Sequence, residues 1–145
     1  MPETKLARIL VPIDASESAG RAAAFAARLA DAASAQMDVL HVTYFDKDTD
    51  ADGDSWLPDS MAGSVGAEEQ AARAMAEKYI PADVPYNYYQ RTGTPVEAIL
   101  QFAEEGGHDC IVVGARGLGV VEGFIFGSVS QELLERAKVS VMVVK

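Results

Sequence analysis

The sequence predicts an α/β protein in which a parallel, five-stranded β-sheet lies between two layers of helices in a Rossmann-like, three-layer arrangement. Apolar strand segments alternate with amphipathic helical segments along the 145 residues, in the order β-α-β-α-β-α-β-α-β. The segments 8–13 and 110–113 are apolar at almost every position, which is typical of strands buried on both faces. Such strands belong to parallel sheets, because crossover helices cover both faces.

The first strand, residues 8–13, is predicted to end near Pro12, which has no N–H to donate to a neighbouring strand. The alanine-rich stretch behind it has the i, i+3, i+4, i+7 spacing of an amphipathic helix. Five of its residues are predicted to face the sheet: Ala22, Phe25, Ala26, Leu29 and Ala33. Because Arg21, Arg28 and Asp31 fall outside this stripe, we expect them to face solvent.

The middle of the chain is predicted to form a second strand at 37–44, a helix at 67–79 and a weaker, aromatic-rich strand at 86–91. An acidic segment separates the second strand from this helix. Gly63 and Gly66 mark the end of the acidic segment, since glycine disfavours a helix interior. We therefore expect the helix to begin after Gly66.

The third helix has a clear start signal, because Thr94 is a preferred N-cap residue and Pro95 suits the first helical position. Glu97, three residues after Thr94, completes the pattern of a capping box. The predicted apolar face consists of Val96, Ile99, Leu100 and Ala103. Gly106 and Gly107 are expected to end this helix.

The last part of the chain is predicted to contain a strand at 110–113, a helix at about 128–138 and a closing strand at 139–144. The helix is expected to turn three apolar residues toward the sheet: Val129, Leu133 and Ala137. Glu132 and Arg136 have the i, i+4 spacing of an outward-facing ion pair.

The net charge of −10 is unevenly placed, since half of it lies in residues 46–59, which contain six aspartates and one lysine. This acidity argues against nucleic acid or an anionic membrane surface as a partner. No apolar run reaches the roughly 20 residues that span a bilayer. The single cysteine, Cys110, and the absence of a signal-peptide pattern predict a cytoplasmic protein. We expect one domain, residues 1–145, with an acidic insertion at about 45–66.

A glycine-rich connection, residues 114–127, leads from the fourth strand into the last helix. Its glycines allow backbone N–H groups to approach an oxyanion, and the helix start at Gly127 adds N–H groups without intrahelical partners. Ser128 and Ser130 add hydroxyl donors, and Arg116 adds a guanidinium suited to phosphate. The alternative is that the glycines only mark a loop and Ser128 only caps a helix. We favour phosphate binding because the spacing, the buried strand before it and the helix after it agree.

Asp14 follows the first strand and is a second candidate for ligand contact. In an open parallel sheet, ligands bind outside the carboxyl ends of the strands, where the strand order reverses. If the first and fourth strands are neighbours, Asp14 faces the glycine-rich connection across such a crevice. The alternative is that Asp14 is the N-cap of the next helix. Its position just after Pro12, at the predicted crevice, favours ligand contact.

The glycine-rich connection has the pattern G-x-x-G, nine residues, G-S, formed by Gly114, Gly117, Gly127 and Ser128. This pattern resembles the ATP-binding signature of the universal stress protein family. The opening I-L-V-P-I-D-A-S-E, the V-L-H-V of the second strand and the closing V-S-V-M-V-V-K are also similar to that family. The resemblance covers nearly the whole chain outside residues 45–66.

The resemblance implies a strand order of 3-2-1-4-5, with ATP and Mg²⁺ in the crevice between the first and fourth strands. It also implies a homodimer formed through the final strand, from Val139 to Val144, an apolar edge that otherwise needs protection. The implied function is that of an ATP-binding stress regulator or sensor. The alternative is a nucleotide-free, dimeric interaction module of the same fold.

Transferred residue by residue, the resemblance implies that Asp14 contacts the ribose or adenosine end of ATP, and that Pro12 and Val42 line the adenine slot. It implies that seven residues hold the ribose and phosphates: Gly114, Arg116, Gly117, Gly127, Ser128, Val129 and Ser130. The chain departs from the family at Ala15, where a glycine is common, and in the acidic insertion.

Residues suited to catalysis are few. His41 lies in an apolar strand and is predicted to be a core histidine, and His108 lies at the opposite end of the sheet from the crevice. Cys110 is expected to be a small buried hydrophobe. Because no residue stands out as a nucleophile, slow hydrolysis of bound ATP is a third hypothesis, behind the regulator and the interaction module.

Four carboxylates of the acidic segment have nearly the spacing of an EF-hand calcium loop: Asp48, Asp50, Asp52 and Asp59. Three features argue against Ca²⁺ binding there. Asp59 is shorter than the usual bidentate glutamate, Pro58 precedes it, and a strand instead of a helix leads into the loop. We therefore favour a solvated loop.

Overall fold

The structure, a computed structural model, describes residues 5–44, 59–116 and 127–145. In chain order its elements are β1 (Arg8–Pro12), α1 (Glu17–Ala33), β2 (Gln36–Tyr44), α2 (Asp59–Tyr79), β3 (Asn87–Gly93), α3 (Pro95–Gly106), β4 (Cys110–Gly114), α4 (Ser128–Arg136) and β5 (Ser140–Val144). The strands pair in parallel in the order β3-β2-β1-β4-β5. This confirms the predicted α/β class and the strand order that the family resemblance implied.

Both faces of the sheet are covered, because alternate side chains of each strand point to opposite sides. Ile9 and Val11 of β1 pack in a core with α1 and α2, whereas Leu10 packs in a second core with α3 and α4. Val112 and Ile111 of β4 divide between the two cores in the same way. β4 is buried along its whole length, as predicted for a central strand of a parallel sheet.

The inward face of α1 includes Ala22 and Ala26, as predicted, and Leu29 packs against the same core, but Phe25 does not belong to it. The buried residues of this face are small: Ser18, Ala19, Gly20, Ala22, Ala23, Ala26, Ala27 and Ala30. Phe25, which was expected to face inward, is 44% exposed. Two overlapping stripes of α1 satisfy the helical spacing, and the alanine stripe packs inward because small side chains let the helix approach the strands closely.

The start of α2 was also predicted wrongly, since the helix begins at Asp59 and includes Gly63 and Gly66. A glycine inside a helix costs about 1 kcal/mol relative to alanine, which disfavours the helix without excluding it. Further along, Ala72 and Ala76 are fully buried in the core, so tertiary packing supports this helix.

α3 starts at the predicted residue, but the predicted capping box is not formed. Thr94 is the N-cap residue and Pro95 follows it, but the Thr94 side chain makes no capping hydrogen bond. Glu97 instead forms an ion pair with Arg136 of α4, in which the Glu97 Oε1 and the Arg136 Nη1 are 2.6 Å apart. The guanidinium thus takes the carboxylate that a capping box would use. Gly107, with φ of +66°, ends the helix in the left-handed conformation that glycine favours.

The other predicted bounds agree with the structure to within two residues. The i, i+4 pair between Glu132 and Arg136 is present at 3.5 Å. Among the described helices, none is long and apolar enough to cross a membrane. Residues 45–58, which carry most of the acidic insertion and all but the last of the four carboxylates in the EF-hand-like pattern, lie outside the described residues.

Candidate functional site

The strand order brings the two predicted edges of the site together. β1 pairs directly with β4, through Ile9 with Cys110 and Leu10 with Ile111. Because the strands are parallel, the segment after β1 and the connection after β4 both leave the sheet at the carboxyl edge. The order reverses at this point, since β1 has β2 on its other side. This is where ligands bind in open α/β sheets.

Two of the predicted site residues form an apolar surface on one face of that edge. Val42 of β2 is partly buried against the core under α3 and α4. Pro12 pairs with Leu40 at the end of β1 and is also partly buried. Leu10 and Leu40 belong to the same core as Val42, so period-2 alternation places Pro12 on this face as well. The pair suits the flat face of an aromatic base.

Asp14 lies two residues before the N-cap of α1 and does not cap the helix. Its Oδ1 accepts a hydrogen bond from the Ser16 N–H at 2.8 Å. Ser16 is the N-cap residue, and its Oγ accepts from the Ala19 N–H at 3.1 Å. The alternative interpretation of Asp14 as a helix cap is therefore wrong, and Asp14 shapes the turn that leaves β1.

Hydrogen bonds tie the two ends of the β4–α4 connection together. The Gly127 N–H donates to the Ala115 carbonyl at 2.6 Å, and the Ser130 hydroxyl lies 3.1 Å from the same oxygen and 2.9 Å from the Gly127 carbonyl. The Ala115 N–H donates to Val144 of β5 at 2.9 Å. Gly117, a predicted site residue, falls in the 117–126 gap between the described ranges.

Gly114 has a packing role that the sequence did not suggest. A Cβ added there would lie 2.6 Å from the Ser18 Oγ and 2.7 Å from the Ser18 backbone. Real Cβ contacts are longer than this, so glycine is required for the first turn of α1 to lie against the end of β4. The Ser18 Oγ also accepts a hydrogen bond from the Arg116 N–H at 3.0 Å.

Further backbone donors lie at the start of α4. The N–H groups of Ser128, Val129 and Ser130 occupy the first helical positions, where a helix offers no acceptor. Gly127 is the N-cap residue and supplies no capping side chain. Ser128 and Arg116 are both exposed. The arrangement presents N–H groups, a hydroxyl and a guanidinium, which together suit an oxyanion.

The histidines and the cysteine are placed as predicted. His41 is 1% exposed, and neither of its ring nitrogens has a hydrogen-bond partner within the described residues. Burial, with a smaller effect of the Asp109 carboxylate, raises the pKa of the Cys110 thiol, so the thiolate is disfavoured. Within residues 5–44, 59–116 and 127–145 no group of three or more His, Cys, Asp or Glu side chains is placed to hold a metal ion.

A buried polar cluster lies at the opposite edge of the sheet and centres on Asp38, which is fully buried. Its carboxylate accepts hydrogen bonds from Arg8 and Gln36 at 3.1 Å each, from Asn87 at 3.0 Å and from the Nε2 of His108 at 2.7 Å. The cluster joins β1, β2, β3 and the turn after α3. An aspartate inside an apolar strand is the sequence signal for such a buried cluster, and Asp38 was not among the predicted residues.

We expect the Asp38 cluster to make stability depend on pH. Burial raises the pKa of Asp38, but its hydrogen bonds from Asn87, Gln36, His108 and Arg8 outweigh that effect and lower the pKa below its ordinary 3.8. The folded state thus binds this proton less readily than the unfolded state. The resulting stability is present above pH 3.8 and is lost as the pH falls through the lower folded-state pKa.

The measurement is urea unfolding of the wild type and of Asp38→Asn from pH 7 to pH 3. Because the other carboxylates are common to both proteins, the difference between their unfolding free energies isolates Asp38. That difference is expected to shrink on acidification below about pH 4. A difference that stays constant over this range would contradict the lowered pKa.

The fold defines a doubly wound, parallel α/β protein whose strand order reverses between β1 and β4. A family model described as the universal stress protein family matches residues 5–145. A universal stress protein of Thermus aquaticus, encoded in the QAH/OAS sulfhydrylase 3' region, is 35% identical over 138 residues, covering 94% of this chain and 97% of the relative. The chain therefore belongs to the universal stress protein family.

Solved structures of the same family are similar in fold. The universal stress protein UspA from Lactobacillus plantarum has a TM-score of 0.77 at 23% identity, covering 97% of this chain and 99% of its own. A universal stress protein in complex with cAMP has a TM-score of 0.69 at 26% identity, covering 96% of this chain and 97% of its own.

Proposed function

We propose that this protein binds ATP with Mg²⁺ in the crevice between β1 and β4 and acts as a nucleotide-dependent regulator or sensor of stress. The observation that carries the proposal is the start of α4. Its N–H groups at Ser128, Val129 and Ser130 face an edge that also bears Arg116 and Asp14. The G-x-x-G, nine residues, G-S motif and the pairing of β1 with β4 also support the proposal.

The adenosine end of the ligand would lie toward β1 and β2. Pro12 and Val42 offer an apolar surface for the adenine ring, and Asp14 offers a carboxylate to the ribose hydroxyls. The related universal stress protein crystallised with cAMP, at 26% identity, supports an adenine nucleotide as the ligand class.

The phosphates would lie toward α4. Gly127 leaves the helix start uncovered, Ser128 adds an exposed hydroxyl, and Arg116 adds the positive charge. Gly114 and the Ser130 hydroxyl would contribute indirectly, by holding the connection in place, while Gly117 is assigned by the motif. Because the protein carries a net charge of −10, its overall electrostatic field repels a polyphosphate. Mg²⁺ bound to the phosphates would reduce this repulsion.

We propose a regulatory role because the described edge offers neither a histidine nor a cysteine beside the crevice. β5 is the last strand of the sheet, and its free edge is proposed to pair with a second copy of the chain. Cytoplasmic location is part of the same proposal. In the first alternative, a nucleotide-free interaction module, the protein forms the dimer but binds no nucleotide. In the second, a slow ATPase, it forms the dimer, binds ATP and hydrolyses it slowly.

Isothermal titration calorimetry with Mg·ATP tests the proposal. We expect saturable binding of one nucleotide per chain. The affinities of ADP, AMP and cAMP, measured by competition, would show how much each phosphate contributes to binding. A folded protein that gives no heat at millimolar nucleotide would overturn the proposal and favour the interaction module. Release of inorganic phosphate in the same samples would identify the slow ATPase.

A further inference from the structure

We infer that Ser18 of α1 is a positioning residue for the phosphate end of the crevice, an inference that rests on the proposed function. Ser18 lies 98 residues from Arg116 in the chain, and no motif marks it. Its side chain is nevertheless buried, at 5% exposure, and it contacts the first residues of the β4–α4 connection.

Two contacts fix Ser18 against that connection. The Ser18 Oγ accepts a hydrogen bond from the Arg116 N–H at 3.0 Å. Gly114 lacks the Cβ that would fill the same space, so the first turn of α1 lies directly on the end of β4. Because Arg116 is exposed beyond this point, the bond sets the direction in which its backbone, and hence its guanidinium, leaves the sheet.

The hydrogen bond also changes which groups are available to a ligand. The Arg116 N–H is occupied by Ser18, and the N–H groups of Ala115 and Gly127 are occupied by Val144 and Ala115. These backbone donors therefore hold the framework and do not bind phosphate. Among the described residues of the connection, the start of α4 and the Arg116 side chain remain for the ligand, and Ser18 keeps the second of these beside the first.

A purely structural role for Ser18 makes a different prediction. If its hydroxyl only stabilised α1, its loss would lower the stability of the fold and would affect all ligands alike. If it positions Arg116, its loss lowers the affinity for ligands that carry phosphates and leaves the affinity for adenosine unchanged. The ratio of ATP affinity to adenosine affinity separates the two roles.

The experiment measures Kd by calorimetry for Mg·ATP and for adenosine, in the wild type, Ser18→Ala and Ser16→Ala. Ser16→Ala is the matched control, because it removes a hydroxyl from the same helix start, where that hydroxyl caps α1 by accepting from the Ala19 N–H. We expect Ser18→Ala to weaken ATP about fivefold, the worth of one hydrogen bond, with adenosine changed less than about twofold. Ser16→Ala should lower the melting temperature and keep the wild-type ratio.

Hydrogen exchange of the Arg116 amide gives a readout without any ligand, and this amide should exchange faster in Ser18→Ala. Ser18→Cys, which fills the site with a weaker acceptor, replaces Ser18→Ala if that variant does not fold, and it should shift the ratio in the same direction. An unchanged ratio, or an equal loss for both ligands, would overturn the inference while leaving the proposed function intact. Failure of the wild type to bind either ligand would instead overturn the proposed function and this inference with it.

Discussion

Asp38→Asn is expected to lower the unfolding free energy by about 3 kcal/mol, because it leaves hydrogen-bond donors around a buried position without their charged acceptor. Asp38 is fully buried, and both of its oxygens accept two hydrogen bonds each. An amide of the same shape keeps one acceptor oxygen and places an N–H₂ group against donors. His108 and the partly exposed Arg8 would then lose their anionic partner.

Asp109→Asn is the matched control for this experiment. Asp109 lies at the same edge, and its Oδ2 accepts from the Ala7 and Arg8 N–H groups at 2.9 and 2.8 Å, but it is exposed to solvent. Because water can replace part of the hydrogen bonding that Asp109 loses, we expect the unfolding free energy to decrease by about 1 kcal/mol. Urea unfolding followed by circular dichroism measures both values. Equal losses in the two variants would show that the burial of Asp38 does not matter.

Gly127→Val is expected to weaken ATP binding by about a hundredfold or more while the protein stays folded. Gly127 is the N-cap residue of α4, and its φ of −70° and ψ of 163° are open to valine, which also keeps the N–H bonded to Ala115. The branched side chain would stand over the start of α4, where the phosphates are proposed to bind. Loss of several charge-assisted hydrogen bonds accounts for the size of the effect.

The control for Gly127→Val is Thr94→Val, a substitution at the N-cap of α3. The Thr94 side chain makes no capping hydrogen bond, so valine there changes another helix start away from the proposed site. Both variants are expected to lose about 1 kcal/mol of stability or less. Calorimetric titration with Mg·ATP should show wild-type binding for Thr94→Val. Wild-type affinity in Gly127→Val would mean that the phosphates lie elsewhere.

Much of the fold followed from local patterns in the sequence. The apolar runs at residues 8–13 and 110–113 predicted central strands, and both strands are central in the sheet. Helix ends were predicted well where a residue has a backbone preference, as at Pro95 and Gly107. These features are readable because they depend on residues within one or two helical turns of each other.

Features that depend on distant partners were predicted less well. Phe25 and the alanine stripe of α1 satisfy the same periodicity, and the space above the sheet decided between them. Glu97 matched a capping box, but Arg136 of a different helix took its carboxylate. In each case the competing contact came from a part of the chain that local spacing does not describe.

By itself, the sequence determined the class of the fold, the order of its elements and the glycine-serine motif, because periodicity, capping preferences and motif spacing are local. The tertiary structure decided which of those residues hold the framework and which face the crevice. Gly114 is needed because Ser18 packs against it, and the Ser130 hydroxyl bonds within the connection itself. Of the residues that the structure describes there, the start of α4 and Arg116 remain for a ligand. The physical reason is that most buried polar groups are hydrogen-bonded, and the sheet supplies their partners from residues far away in the chain.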